Sequence, residues 1–142
     1  ATQIWMTPAE TAAYRAAGIE PTVAGYFIDL PAEIAASHVV IARAGASTVA
    51  ELAVAGRPSI LVPLPIATDD HQTDNARALA DLGGAQVIAQ TAFTPAAVSA
   101  ALLAWLGDPE ALARAAAGAR LAGRPDAASA LADLVIAVAE AA

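Results

Sequence analysis

Two stretches of this chain combine residue types and spacing suited to chemistry. The first is Ile41 to Leu52, IARAGASTVAEL. A β-branched run ends at the small-residue turn Ala44-Gly45-Ala46-Ser47, with Arg43 before it and Glu51 a few residues on. Four small residues let another group approach the backbone closely. The unpaired N–H groups at the start of a following helix carry partial positive charge, so the segment suits an anion such as phosphate. Arg43 either adds a full charge there or forms a structural ion pair. Glu51 has two competing uses for the same oxygens. Thr48-Val49-Ala50-Glu51 has the pattern of a capping box, in which Glu51 reaches back to the N-cap amide. The same carboxylate also suits a ribose diol, as acidic residues do in dinucleotide sites.

The second stretch is Ala67 to Ala76, ATDDHQTDNA, at another strand exit. Asp69, Asp70 and His71 are consecutive, so they splay apart at a helix start, and no zinc or calcium spacing follows. Asp69 or Asp70 is expected to cap the helix, with His71 or Gln72 facing a cleft. Gln72 carries a donor and an acceptor on one amide, which suits a pair of sugar hydroxyls. No metal and no cofactor is expected.

The elements that position these stretches alternate. Thr7-Pro8-Ala9-Glu10 is a capping box with proline at the first helical position, predicting a helix to about Ala17 that ends at Gly18. Gln3 to Met6 reads as a strand end and Thr22 to Phe27 as a strand. Pro31 to Ala36 reads as a short helix, Val39 to Ala42 as a buried strand, and about Val49 to Ala55 as a helix stopped by Gly56. Ser59 to Val62 and Gln86 to Ala89 are further strands on either side of a helix that ends near Leu82. Thr94-Pro95 and Asp108-Pro109 each place an N-cap before proline, and Gly123 to Pro125 separates a last helix. Trp105 reads as a core anchor and His38 as a loop histidine. Strands alternating with helices predict a Rossmann-like α/β fold, a parallel sheet with helices on both faces that binds ligands at the carboxyl ends of its strands.

Composition narrows the classes. A chain of 142 residues is about one ordinary domain. Cysteine is absent, which removes disulfides, thiol catalysis and zinc-cysteine sites. Lysine is absent too, which removes a Walker A loop and Schiff-base chemistry. A net charge of -7 argues against a nucleic-acid partner, because phosphate backbones require clustered cations. The C-terminal apolar tract Leu131 to Val138 is interrupted by Asp133 and is far short of the ~20 residues a membrane span requires. No signal peptide is expected at the start.

Taken together, YFIDLPAEIAASHVVIARAGASTVAELAVAGRPSILVPLP, from Tyr26 to Pro65, and DDHQTDNARALADLGGA, from Asp69 to Ala85, resemble the C-terminal domain of the MurG family. Members of that family are inverting, metal-independent UDP-N-acetylglucosamine transferases acting on an undecaprenyl-linked muramyl pentapeptide in peptidoglycan synthesis. The resemblance runs from about Tyr26 to the C-terminus, including GRPDAA, and is most specific in Arg-x-Gly-Ala-x-Thr-x-x-Glu and Asp-His-Gln. It implies the C-terminal, donor-binding half of a two-domain GT-B enzyme. The main chain of Ile28 would meet the uracil, Ala46, Ser47, Thr48 and Val49 would present main-chain donors to the diphosphate, and Ala50 would belong to the same substrate-binding segment. Glu51 would hold the ribose and Gln72 the GlcNAc hydroxyls, with His71 and Arg43 beside them.

The resemblance also implies a peripheral location on the cytoplasmic face of the bacterial inner membrane, and catalytic residues in an N-terminal acceptor domain. Residues 1-142 would form one domain lacking that half and lacking its own first glycine-rich strand turn, inactive alone. IWMTPAE departs from the family's His-Gln-(Ser/Thr)-Gly pattern, and His38 stands where aspartate is usual. The residues alone also fit a non-catalytic binding or scaffold module, or the donor half of a UDP-GlcNAc 2-epimerase or lipid glucosyltransferase.

Overall fold

The structure is a computed structural model in which residues 7–65 and 70–141 are described. The expected strand end at Gln3 to Met6 and the expected cap at Asp69 lie outside those residues. The chain divides between Ala32 and Glu33 into two compact units.

The first unit carries α1 (Pro8–Ala16), and its start is the expected capping box. Thr7 N–H donates to the Glu10 carboxylate at 2.6 Å, and Glu10 N–H donates to Thr7 Oγ1 at 3.2 Å. Gly18 follows with φ +77°, the left-handed conformation that glycine adopts without steric cost. Arg15 and Glu20 form an exposed ion pair at 2.6 Å.

The strand expected at Thr22 to Phe27 does not form. A strand needs a neighbour to take its N–H and C=O groups, and the three strands of the described residues pair only with one another. Val23 and Tyr26 stay 41% and 61% exposed, so the apolar area that would reward pairing is not buried. Gly25 within the segment weakens any extended preference further.

After α2 (Leu30–Ala36), the second unit is built on a parallel three-stranded sheet of β1 (Val40–Ala42), β2 (Ser59–Leu61) and β3 (Ala85–Val87), in that order. Val40 aligns with Ser59 and Ser59 with Ala85, so all three strands run out at one edge. The crossover from β1 to β2 contains α3 (Ala46–Ala55), and that from β2 to β3 contains α4 (His71–Ala80). Beyond a 3-10 turn at Gln90–Ala92 come α5 (Pro95–Leu106), α6 (Pro109–Ala122) and α7 (Ala127–Glu140).

Ile60 on the central strand is fully buried against Ala101, Trp105 and Ala115 of α5 and α6, which makes Trp105 the anchor expected of it. Alanine and glycine bring α6 very close to its neighbours. A Cβ on Gly118 would sit 2.1 Å from Leu82 O, and one on Gly123 would sit 2.9 Å from Ala53 O. This close packing, rather than aromatic bulk, holds α3 and α4 beside the sheet. The C-terminal end of α3 is closed by Gly56 at φ +60°, with its N–H on Ala53 O and that of Arg57 on Leu52 O.

Candidate functional site

The carboxyl ends of β1 and β2 release two adjacent segments, the turn 43–45 and the loop that begins at Val62. The first leads directly into α3, whose N-cap is Gly45 in an extended conformation (φ -65°, ψ 147°). No side chain caps this helix. Its first internal bond runs from Val49 N–H to Gly45 O at 3.0 Å, so the amides of Ala46, Ser47 and Thr48 have no acceptor among the described residues.

This geometry revises two sequence expectations. The helix starts three residues earlier than Val49, because extended Gly45 supplies the cap position. Thr48 is therefore inside the first turn and not at its cap, and the capping box with Glu51 does not form. The donor expected at Val49 and the contact expected at Ala50 are placed differently from the amides at 46–48. Val49 N–H is taken by Gly45 O, and Ala50 lies deeper in the helix. Glu51 is exposed, and its carboxylate has no hydrogen bond or ion pair among the described residues.

Three side chains lace the two segments together. Arg43 Nη1 donates to Val62 O at 3.2 Å and, at the limit of a hydrogen bond, to Pro63 O at 3.5 Å. Of the two roles open to Arg43, the structural ion pair does not form among the described residues. Its guanidinium holds the end of β2 to the end of β1 while its charge stays at the mouth of the site. Gln72 Oε1 accepts from Leu64 N–H at 3.0 Å, and Asn75 Nδ2 donates to Ala44 O at 3.1 Å. Because Leu64 N–H can only donate, the acceptor of Gln72 is engaged, and its NH2 is the group left to face a hydroxyl.

The first turn of α4 differs from expectation at its cap. Asp70 occupies the N-cap position at φ +53°, a positive φ that aspartate tolerates better than most residues. Its side chain does not cap the helix and instead accepts from Thr73 Oγ1 at 2.7 Å. His71 follows as the first helical residue and is exposed. Ile28 belongs to the first unit, in the turn before α2, and is 94% exposed.

Asn75 is the site residue that sequence reasoning passed over. The available signal was its spacing: three residues beyond Gln72, it lies on the same face of the helix. Among the described residues no three His, Asp or Glu side chains gather as a metal site, and no helix is long and apolar enough to cross a membrane.

Comparison with known proteins places the chain in a family. The family model of the glycosyltransferase family 28 C-terminal domain matches residues 6–131. A UDP-N-acetylglucosamine–N-acetylmuramyl-(pentapeptide) pyrophosphoryl-undecaprenol N-acetylglucosamine transferase from Rhodospirillum centenum is 59% identical over 87% of this chain and 32% of its own length. Enzymes of the same name from Rhodospirillum rubrum and Caulobacter vibrioides are 53% and 55% identical over 91% and 86% of this chain, and 33% and 34% of theirs. The crystal structure of Acinetobacter baumannii MurG superposes with a TM-score of 0.76 at 38% identity, over 89% of this chain and 38% of that one. The chain thus spans about a third of the length of the curated relatives it matches. On these matches, and with a parallel sheet whose strand ends present a bare helix start, the protein belongs to the glycosyltransferase family 28 C-terminal domain family.

Proposed function

We propose that this chain is the donor-binding part of an N-acetylglucosaminyltransferase that moves GlcNAc from UDP-GlcNAc to an undecaprenyl-pyrophosphoryl muramyl-pentapeptide acceptor. The observation that carries this reading is the start of α3, where three consecutive amides lack acceptors at the carboxyl edge of the sheet. A helix start of this kind receives a diphosphate without cationic side chains, which suits a chain with no lysine. Glu51, on the same helix and free of internal partners, takes the ribose hydroxyls. Gln72 offers its NH2 to the GlcNAc hydroxyls while its oxygen keeps Leu64 in place. The named relatives are transferases, which favours transfer over epimerisation.

In such a transfer an acceptor hydroxyl attacks the anomeric carbon of GlcNAc from the face opposite the diphosphate, its proton passing to a base of the acceptor-binding half, and the bond from that carbon to the diphosphate oxygen breaks with inversion as UDP departs. Negative charge grows on the departing phosphate oxygens in the transition state. Amides already aimed at that position stabilise it without reorganisation, which is the most productive form of electrostatic catalysis. Arg43, anchored on Val62 O, adds its charge at the same edge. Such a donor part works beside an acceptor-binding half that holds the second substrate in line. With a cytoplasmic sugar nucleotide and a lipid-linked acceptor, the reaction belongs at the cytoplasmic face of the inner membrane.

Calorimetric titration of the chain with UDP and UDP-GlcNAc tests the reading. Glu51→Ala is expected to weaken both by about tenfold, the worth of a hydrogen bond to a charged group. Unchanged affinity in a folded variant removes the ribose role. An absence of UDP binding by the unsubstituted chain removes the proposal.

A further inference from the structure

We infer that Asn75 is a positioning residue that aims the Gly45 amide at the diphosphate and so adds a fourth main-chain donor to the cradle. This rests on the reading that the diphosphate sits at the start of α3. Asn75 Nδ2 donates to Ala44 O at 3.1 Å, across 31 residues of sequence, and Ala44 itself is fully buried. In a planar trans peptide the carbonyl and the following N–H point in opposite directions. Anchoring the Ala44 oxygen on α4 therefore turns the Gly45 N–H away from α4. That N–H has no acceptor among the described residues, and the amides of Ala46, Ser47 and Thr48 follow it in sequence. The run of unpaired donors is thus four residues long, and its first member is oriented from another helix.

The same helix face carries Gln72, whose oxygen holds Leu64 N–H. One short stretch of α4 consequently sets the pose of both loops at the sheet edge, and the residue that would read the sugar lies one turn from the residue that aims the phosphate donor. A buried carbonyl must also find a partner, so losing the Asn75 donor gives the 44–45 peptide a reason to rotate. Such a rotation changes the direction of the Gly45 amide without requiring α3 or the sheet to unfold.

The test compares UDP with uridine, which shares the base and ribose but lacks the diphosphate. Dissociation constants of both are measured by NMR titration for the unsubstituted chain, Asn75→Ala and Asn75→Asp, with far-UV circular dichroism as the check on folding. The unsubstituted chain is expected to prefer UDP over uridine, and each variant to lose about tenfold in UDP affinity with uridine affinity unchanged. A merely structural role moves both ligands together or neither, and a preference for UDP retained in a folded variant overturns the inference. Both variants failing to fold also overturns it, making Asn75 a folding residue. No preference for UDP in the unsubstituted chain overturns instead the proposed diphosphate site, and this inference with it.

Discussion

Helices α3 and α6 begin in opposite ways. At α6, Asp108 accepts from the amides of Glu110 and Ala111, both at 3.0 Å, and Pro109 removes a further donor. At α3, Gly45 has no side chain to offer, and the amides of Ala46, Ser47 and Thr48 have no acceptor among the described residues. The first start is finished by its own sequence, and the second leaves its donors open to water or a ligand. Folding does not force glycine at position 45. Its φ of -65° suits any residue, and a Cβ there would meet only Thr48 Oγ1, at 3.9 Å. What glycine does provide is open access to the amides, which a capping side chain would close. A side-chain cap and a bound anion would use the same donors, so a capping residue at position 45 would compete with the anion proposed for α3.

Exchanging these properties should break the contrast, and the largest effect is expected at Gly45. Gly45→Asp places a carboxylate where it accepts from the free amides and repels a diphosphate. UDP affinity should fall by at least about tenfold in calorimetry, while stability changes by only a few tenths of a kcal/mol. A variant that binds UDP as well as the unsubstituted chain would place the anion elsewhere. The reciprocal change, Asp108→Ala, strips the α6 cap and should cost about 1 kcal/mol in urea unfolding. Its UDP affinity should stay the same, and a loss there would show that bare and capped starts are not functionally separate.

The smallest effect belongs to α1, whose cap is titratable. The Thr7 backbone amide, and then its hydroxyl, hold the Glu10 carboxyl below its ordinary value. With its folded pKa below the unfolded one, the box contributes fully above the unfolded value, about 4.3 for glutamate. That contribution disappears as pH falls through the folded value. NMR shifts of residues 8–11 should therefore lose helical character in acid, and Glu10→Gln should flatten the response. The start of α3 has no carboxylate in its cap, so its shifts should not follow the same curve. Parallel curves for α1 and α3 would mean that the acid response is global unfolding.

The self-finished starts were also the legible ones. Thr7, Thr94 and Asp108 declare their helices because a cap acts on amides two or three residues away. The three strands of the sheet were readable as short apolar runs, and the central one is framed by Pro58 and Pro63. Thr48 to Glu51 imitated a cap in sequence and does not make one. Only the extended conformation of Gly45, at the end of a strand already placed in the sheet, starts the helix three residues earlier. Thr22 to Phe27 has the residue types of a strand, but residue types do not supply a neighbour.

By itself, then, the sequence determined the alternation of strands and helices from Val40 to Val87, the run of small residues from Ala44 to Ser47 and the carboxylate at Glu51, since each depends on residues within a few positions of one another. Tertiary structure decided which donors are unpaired, which atom of Gln72 is engaged, and that Asn75 reaches Ala44. Those outcomes join residues 8 and 31 positions apart, and a hydrogen bond at that separation exists only after packing has brought its two ends within 3 Å or so.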